Sequence, residues 1–329
     1  MSDTAATADT TVVRPGHTVE TVPVTRIDNG HDLALTVHRL TGARPGPTLV
    51  AFGGIHGDEA MGPEEVRRLV SSVDPAELSG TIVAVPVANP YAYQAMSRFT
   101  PQDGLNLNRI FPGDRNGSVT EQLAAVLAEI MLQADYFVDF HSSGLYSTVE
   151  YSYIVDNGRE MATSFGAPLL YHHEQYEGTS NAWAIKNGIS STVCELGGGG
   201  QLTDAFLAKA VRQGRNMLKA IGMLEGEAES PAVPQTVMTE LVTLRPTRGG
   251  AMISYFTPDR LGEVIKGGTV IGEVVDPYTF RTLEQLVAPY ESSILVLTRE
   301  SYTRTAPGDY GFMVGNAATT TTVDELFGA

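Results

Sequence analysis

The chain is poor in cysteine, in lysine and in long apolar runs, and each shortage narrows what it can be. Cys194 is the single cysteine among 329 residues. It cannot form an internal disulfide, so nothing ties the chain to an oxidising compartment. Basic residues number 22 against 38 acidic ones, a formal net charge of −16. That balance repels phosphate backbones and anionic lipid, so neither nucleic acid nor a membrane surface is an expected partner. Lysine supplies only Lys186, Lys209, Lys219 and Lys266, a skew toward arginine read first as genome composition. No apolar stretch approaches the ~18 residues of a membrane span. The opening MSDTAATADTTVVRPG has neither a basic n-region nor an apolar h-region and does not read as a signal peptide. The expected setting is cytoplasmic.

What is present describes a packed chain. Hydrophobic residues make up 42% and charged residues 18%, which supports a large core. The 34 glycines and 18 prolines follow no period, so collagen-like and low-complexity readings fail. The length is about twice that of a usual domain, and the pattern divides it. Residues 1–16 read as a mobile N-terminal arm. A strand pair follows, with Asp28-Asn29-Gly30 as its turn. Strand-like PTLVAFGG, TIVAVPVANP, DYFVDFHSSG and STVCELGGGG then alternate with helical EAMGPEEVRRLVSSV, TEQLAAVLAEIMLQA and TDAFLAKAVRQGRNMLKAIGML. Thr120 is the expected N-cap of the middle helix. The alternation predicts an α/β domain over 17–225, with a mostly parallel sheet and flanking helices. A Glu, Gly, Ser and Pro linker spans 226–235. A β-rich domain without a convincing helix fills 236–329. In its Lys266-Gly267-Gly268 turn and Ala288-Pro289 segment it resembles a lipoyl-type barrel in fold only, since the lysine that carrier domains modify is missing from the hairpin tip.

The chemistry concentrates after strands. In Gly53-Gly54-Ile55-His56-Gly57-Asp58-Glu59, a His and a Glu three residues apart on a tight turn can aim at one point. With a third ligand they make the open, three-ligand zinc site of a hydrolase; a solvated surface turn is the competing reading. His141 supplies a third candidate at the end of its strand, on the carboxyl edge where open parallel sheets gather function. Asp139, on the same face, can orient that imidazole. Glu195 closes an apolar strand, which is costly without a task or partner, and is the candidate general base. Strand alternation points Cys194 the other way, into the core. Arg98 and Arg109 sit in a loop suited to holding anions.

In these pieces the chain resembles the succinylglutamate desuccinylase/aspartoacylase family, a branch of the zinc carboxypeptidase clan. The matching motifs are HGDE (His56 to Glu59), NLNR (Asn106 to Arg109), DFHSSG (Asp139 to Gly144) and CELG (Cys194 to Gly197), in the family's order. The likeness extends over about residues 45–300. It implies a zinc-carboxypeptidase-like fold and one Zn2+ per chain, held by His56, Glu59 and His141. It also implies Glu195 as general base, Asn108 and Arg109 on the substrate carboxylate, and Arg98 polarising the scissile carbonyl. The implied reaction is hydrolysis of a small N-acyl amino acid by a metal-activated water.

Within the family, the stretch between Arg159 and Arg212 offers Lys186 and, beyond Glu195, Lys209 as its only basic side chains besides His172 and His173. An acidic amino-acid side chain would need another cation nearby, so N-acetyl-2,4-diaminobutyrate is the expected substrate. Arg115, Arg159, Arg245 or Arg248 could overturn that by reaching the pocket. The alternatives are a desuccinylase or aspartoacylase acting on an acidic amino acid, a metallocarboxypeptidase acting on peptides, and a non-catalytic zinc-binding protein. Homo-oligomerisation is left open. His17, His31 and His38 read as structural, and His172-His173 as pocket-lining candidates outside the catalytic set.

Overall fold

The structure, a computed structural model, describes residues 15–173, 176–198, 200 and 202–328. The expected arm, 1–16, lies almost wholly outside the described residues. Strands β1 (Gly16–Arg26) and β2 (Asp32–Thr41) pair antiparallel. Their turn closes where the sequence places it, with Gly30 at φ 83° donating its N–H to the Ile27 carbonyl at 2.9 Å. Next come β3 (Arg44–Gly53), α1 (Met61–Ser71), β4 (Ser79–Val85), the short α2 (Pro90–Ala95), α3 (Val119–Met131) and β5 (Tyr136–His141). They are followed by β6 (Ser147–Ile154), α4 (Arg159–Phe165), β7 (Leu169–His172), α5 (Ser180–Lys186), β8 (Ser190–Gly198) and α6 (Asp204–Ala220). Residues 225–235 hold neither helix nor strand. Beyond them lie β9 (Thr236–Met238), β10 (Leu241–Leu244), β11 (Gly250–Ser254), β12 (Val264–Lys266) and β13 (Val270–Val275). The chain ends with β14 (Thr282–Val287), β15 (Ser292–Arg299), β16 (Tyr302–Thr305), β17 (Phe312–Asn316) and α7 (Val323–Phe327).

Thirteen of these strands form one mixed sheet. Its centre, β4-β3-β5-β8, is parallel throughout, as the βα rhythm predicts. Its flanks are antiparallel: β2 and β1 on one side, then β6, β15, β17 and β10 on the other. The C-terminal strands therefore extend the same sheet through the β6–β15 pair, and β14-β13-β11-β16 make a second, antiparallel sheet. Helices cover both faces of the centre. On one, α1, α4 and α6 pack through Val66, Leu69, Phe165 and Met217; on the other, α3 and α5 pack through Leu123, Leu127 and Ala184. Each fully buried side chain of this size contributes ~1.5–3 kcal/mol relative to exposure.

Two local expectations are corrected, and one strand was not foreseen. Helix α3 is capped by Ser118, not Thr120; Ser118 and Glu121 form a reciprocal capping box. Thr120 is buried and donates its hydroxyl to Asp103 at 2.7 Å, tying the helix start to the Arg98–Arg109 loop. The strand β6 was not legible, because Ser-Thr-Val-Glu-Tyr-Ser-Tyr-Ile offers neither a clean alternation nor an apolar run. The C-terminal region does hold a helix, the five-residue α7, with its own capping box between Thr322 and Glu325.

One buried group has no obvious role in this packing. Glu65 on α1 is 2% exposed, and neither carboxyl oxygen finds a hydrogen-bond partner among the described residues. Burial, reinforced by the Glu195 charge, raises its pKa well above the ordinary 4.5. The folded state then holds a proton that the unfolded chain releases at lower pH, so stability falls as pH rises above about 4.5. Glu65→Gln is expected to be more stable than the parent at pH 8 and to show a flatter stability profile. Urea denaturation of both proteins between pH 5 and 9 measures this; parallel profiles would refute it.

Candidate active site

The carboxyl ends of β3, β5 and β8 lie side by side. In register, Gly53 of β3 pairs with Phe140 of β5, and His141 of β5 pairs with Glu195 of β8. The chain leaving β3 turns tightly through His56 to Glu59. Gly57 permits the turn: its N–H donates to Ser97 O at 2.8 Å, and a Cβ there would lie 1.9 Å from the Ala92 backbone. His56, Glu59 and His141 are 2%, 4% and 3% exposed, and their ligand atoms lie within 4.8 Å of one another.

Glu59 stands between the two imidazoles. Its Oε1 is 2.8 Å from His56 Nδ1 and its Oε2 is 2.7 Å from His141 Nδ1. The far nitrogens are occupied: His56 Nε2 faces Asn106 Oδ1 at 3.1 Å, and His141 Nε2 faces Asp139 Oδ2 at 2.9 Å. Ser180 donates its hydroxyl to the same Asp139 oxygen. Each ring thus sets its Nε2 against a fixed acceptor and its Nδ1 against Glu59, so that with the proton kept on Nε2 each Nδ1 can serve a metal. This is the orientation that metal-binding histidines are given by outer partners. Two nitrogens and a carboxylate, converging and buried, fit one zinc-like cation with a position left over.

Charge in the site follows from burial and neighbours. Burial and the Arg98 charge lower His56 to about 4, keeping it neutral. For His141 burial pulls downward, but Asp139 and Glu59 overrule it and hold the pKa well above 6.5. Burial would raise Glu59, yet His56 and His141 hold it well below 4.5. Glu195 is pushed up to about 8 by burial, with Glu59 adding to the rise against the pull of His141 and Arg98. Asp58 reaches about 6, again by burial first and Glu59 second.

Arg98 Nη1 lies 2.9 Å from Glu59 Oε1 and 3.2 Å from His56 Nδ1. The Asn108–Arg109 turn is set by two contacts. Asn106 Oδ1 accepts the Asn108 N–H at 2.9 Å, and the Arg109 backbone packs on Gly178, where a Cβ would come within 2.2 Å of Arg109 O. Asn108 Oδ1 accepts from Ser180 N at 2.9 Å, and its amide nitrogen lies 3.3 Å from His141 Nε2. The Arg109 guanidinium lies 5.5 Å above the Tyr176 ring.

Two cavity lobes meet at Glu59, Arg98, Arg109 and Glu195. The larger is about 520 Å³ and reaches Asp58, Gly144 and Leu297; the smaller is about 230 Å³ and reaches Asn108, Tyr153 and Tyr176. Arg245, Tyr310 and Met313 of the C-terminal region border both lobes. Arg245 stacks on the Tyr310 ring at 4.1 Å and donates to Gly308 O. The sequence brought seven residues forward as a site, and all seven meet here.

The remaining sequence candidates lie elsewhere. His172 faces Ile154 O and Phe327, and His173 stacks on Tyr176 behind the smaller lobe; neither borders the cavity. His17 and His38 face each other on the β1–β2 pair. Arg115 pairs with Glu129, Arg159 lies on Phe327, and the Arg248 N–H is bound by Glu284. Of the four arginines named as cations that could reach the pocket, Arg245 does so. Sequence reasoning missed Asp58, Tyr153, Tyr176 and Tyr310 as cavity residues. Asp58 stood inside a motif, but the tyrosines carry no spacing signal.

A parallel sheet whose carboxyl edge gathers His, Glu, His and a further carboxylate defines the class: a zinc-carboxypeptidase-like α/β fold. The catalytic-domain model of the succinylglutamate desuccinylase/aspartoacylase family matches residues 45–221, and the chain belongs to that family. Among curated relatives, an N-alpha-acetyl-L-2,4-diaminobutyric acid deacetylase from Halomonas elongata is 34% identical over 202 residues. The match takes in 58% of this chain and 59% of that protein's length. Among solved structures, a succinylglutamate desuccinylase/aspartoacylase from Rhodobacter sphaeroides superposes with a TM-score of 0.79 at 25% identity, covering 94% of this chain and 98% of the other. A product-bound ectoine utilization protein EutE (DoeB) from Ruegeria pomeroyi gives 0.81 at 24% identity, with the same coverage.

Metal uptake tests the donor set. Zinc loading is expected at one ion per chain, with His141→Ala losing most of it. Because His141 must first give up a proton held by Asp139 and Glu59, affinity should rise with pH, with proton release on binding. Calorimetry in buffers of different ionisation enthalpy, with elemental analysis of the variant, checks both; undiminished zinc in His141→Ala removes the assignment.

Proposed function

We propose that the chain hydrolyses the amide bond of a small N-acyl amino acid, releasing a carboxylate and a free amino acid. The observation that carries this reading is the buried His56–Glu59–His141 set opening on a cavity wall shared with Glu195 and Arg98. Zinc, when held by those three residues, supplies Lewis acidity and lowers the pKa of water. Glu195 receives the proton of the attacking water and returns it to the leaving amine; a pKa lifted by burial suits it to both transfers. Arg98 offers its guanidinium to the acyl oxygen as negative charge develops there. Asn108 and Arg109 hold the α-carboxylate, with Tyr176 bracing the guanidinium. Arg245, Tyr310 and Met313 border both lobes of the cleft, which speaks against a metallocarboxypeptidase acting on long peptides. The assembled base and ligands speak against a non-catalytic zinc binder.

For the amino-acid half we propose 2,4-diaminobutyrate, carrying an acetyl group. The support is the likeness to the Halomonas elongata deacetylase and a chain charge of −16 that favours a cationic ligand over a dianionic one. A second reading, an acidic amino acid, is favoured by Arg245, which borders both lobes. Catalytic efficiencies on N-acetyl-diaminobutyrate, N-acetylaspartate and N-succinylglutamate separate the two. Preference for a diacid, lost in Arg245→Ala, would establish the second.

Two variants test the roles. Glu195→Gln is expected to keep its zinc and lose turnover. Arg109→Ala should keep its zinc and raise KM, since a forked, charge-assisted carboxylate contact contributes about 1.5–3 kcal/mol. Steady-state kinetics alongside metal analysis reads both; an active Glu195→Gln protein would place the base elsewhere.

A further inference from the structure

The two lobes divide the substrate between them. Asn108 borders only the smaller lobe; Arg109 borders both, but its guanidinium leans on Tyr176, which borders only the smaller one. With the α-carboxylate clamped there and the amide at the shared wall, the acyl half points into the larger lobe. This division rests on the proposed deacylase reading. At about 520 Å³ the acyl side is more than twice the size of the amino-acid side, about 230 Å³. An acetyl group, with three heavy atoms, fills little of it.

The lobe also has a charged marker. Asp58 borders the larger lobe and not the smaller. Its Oδ1 has no hydrogen-bond partner among the described residues, and its carboxylate has no ion-pair partner within 4.0 Å there. Beside it, Gly144 leaves room that a side chain would take, since a Cβ at 144 would lie 2.6 Å from Asp58 Oδ2. The cations of the lobe are otherwise engaged. Arg299 spends its guanidinium on Thr303, Tyr310 O and Arg304 O, Arg98 donates to Glu59, and Arg109, which also borders this lobe, donates to Asn108 O and leans on Tyr176. Arg245 stands at the junction, stacked on Tyr310. Leu145, Val149 and Leu297 supply an apolar wall.

We propose that the larger lobe is an acyl subsite in which Asp58, reached past Gly144, selects acyl groups bearing an ammonium over those ending in a carboxylate. The enzyme then also cleaves N-aminoacyl amino acids such as a glycyl derivative. The reaction is the same hydrolysis. The C–N bond breaks, the hydroxyl of water goes to the acyl carbon, its proton goes to the leaving amine, and two amino acids are released. A succinyl group would bring its second carboxylate toward Asp58, a desolvated like-charge contact that costs binding.

The test compares N-acetyl, N-glycyl and N-succinyl derivatives of 2,4-diaminobutyrate and of aspartate at pH 7, on zinc-loaded protein. Glycyl and acetyl derivatives are expected to exceed the succinyl one in kcat/KM by about tenfold or more, ~1.4 kcal/mol. In Asp58→Asn the glycyl-to-acetyl ratio should fall severalfold and the succinyl deficit should narrow. Gly144→Ala, which crowds the same carboxylate, should lower the glycyl-to-acetyl ratio too. A succinyl preference in the parent, or an unchanged glycyl-to-acetyl ratio in both variants, overturns the proposal. If no derivative is turned over, the deacylase reading fails on its own. Affinities of the same ligands for zinc-loaded Glu195→Gln, measured by calorimetry, still decide the subsite: the predicted order supports it, and a flat or reversed order overturns it.

Discussion

A carboxylate sealed between two imidazoles is the constraint around which the molecule is built. Glu59 is 4% exposed, and an ion so placed is costly unless opposite charge and hydrogen bonds surround it. The surroundings supply both: His56 and His141 on its two oxygens, Arg98 on one of them, and the Ser142 N–H on the other at 3.4 Å. The partners are themselves held. Asp139 fixes His141, Ser180 fixes Asp139, and Asn106 fixes His56. Such a chain is preorganised toward a cation at its centre, because the donors would need little rearrangement to receive it.

The sheet makes this arrangement possible. Parallel neighbours bring carboxyl ends together without any long-range loop, and β3, β5 and β8 are neighbours. His141 and Glu195, 54 positions apart in sequence, face each other across one strand pairing. Their alternating neighbours, Phe140 and Cys194, pack beneath in the helix-covered core. Each strand thus serves the core with one residue and the site with the next, which is why a one-residue slip would dismantle both at once.

Much of this was readable before any coordinates. The βα rhythm located the sheet, and four short motifs marked residues that assemble at its edge. They were readable because glycines, a metal-type spacing and a carboxylate closing an apolar strand are local features. What escaped was non-local. The β6 strand is buried on both faces between β8 and β15, and the tyrosines at 153, 176 and 310 converge from three separate segments. The cap of α3 was misplaced by two residues because Thr120 is spent on Asp103, a partner 17 positions away. The sharp change of composition at 226–235 suggested a clean separation of parts. In the fold, β15 carries the C-terminal strands directly onto β6.

That seam also shapes the cavity. Val149 of β6 and Leu297 of β15 are paired residues of the joining strands, and both border the larger lobe. Part of that lobe's wall is therefore the join itself, while Arg245 and Tyr310 border both lobes from loop positions. A domain hinged on a flexible linker would leave such a lobe free to widen and close. A shared sheet fixes its width through backbone hydrogen bonds, since altering it would mean breaking ladder pairs between β6 and β15. The volume available to the acyl group is in this sense a property of strand pairing. Substitutions at the β6–β15 seam should act on the acyl half of a substrate while leaving the Asn108–Arg109 end, held against α5 and Gly178, as it is.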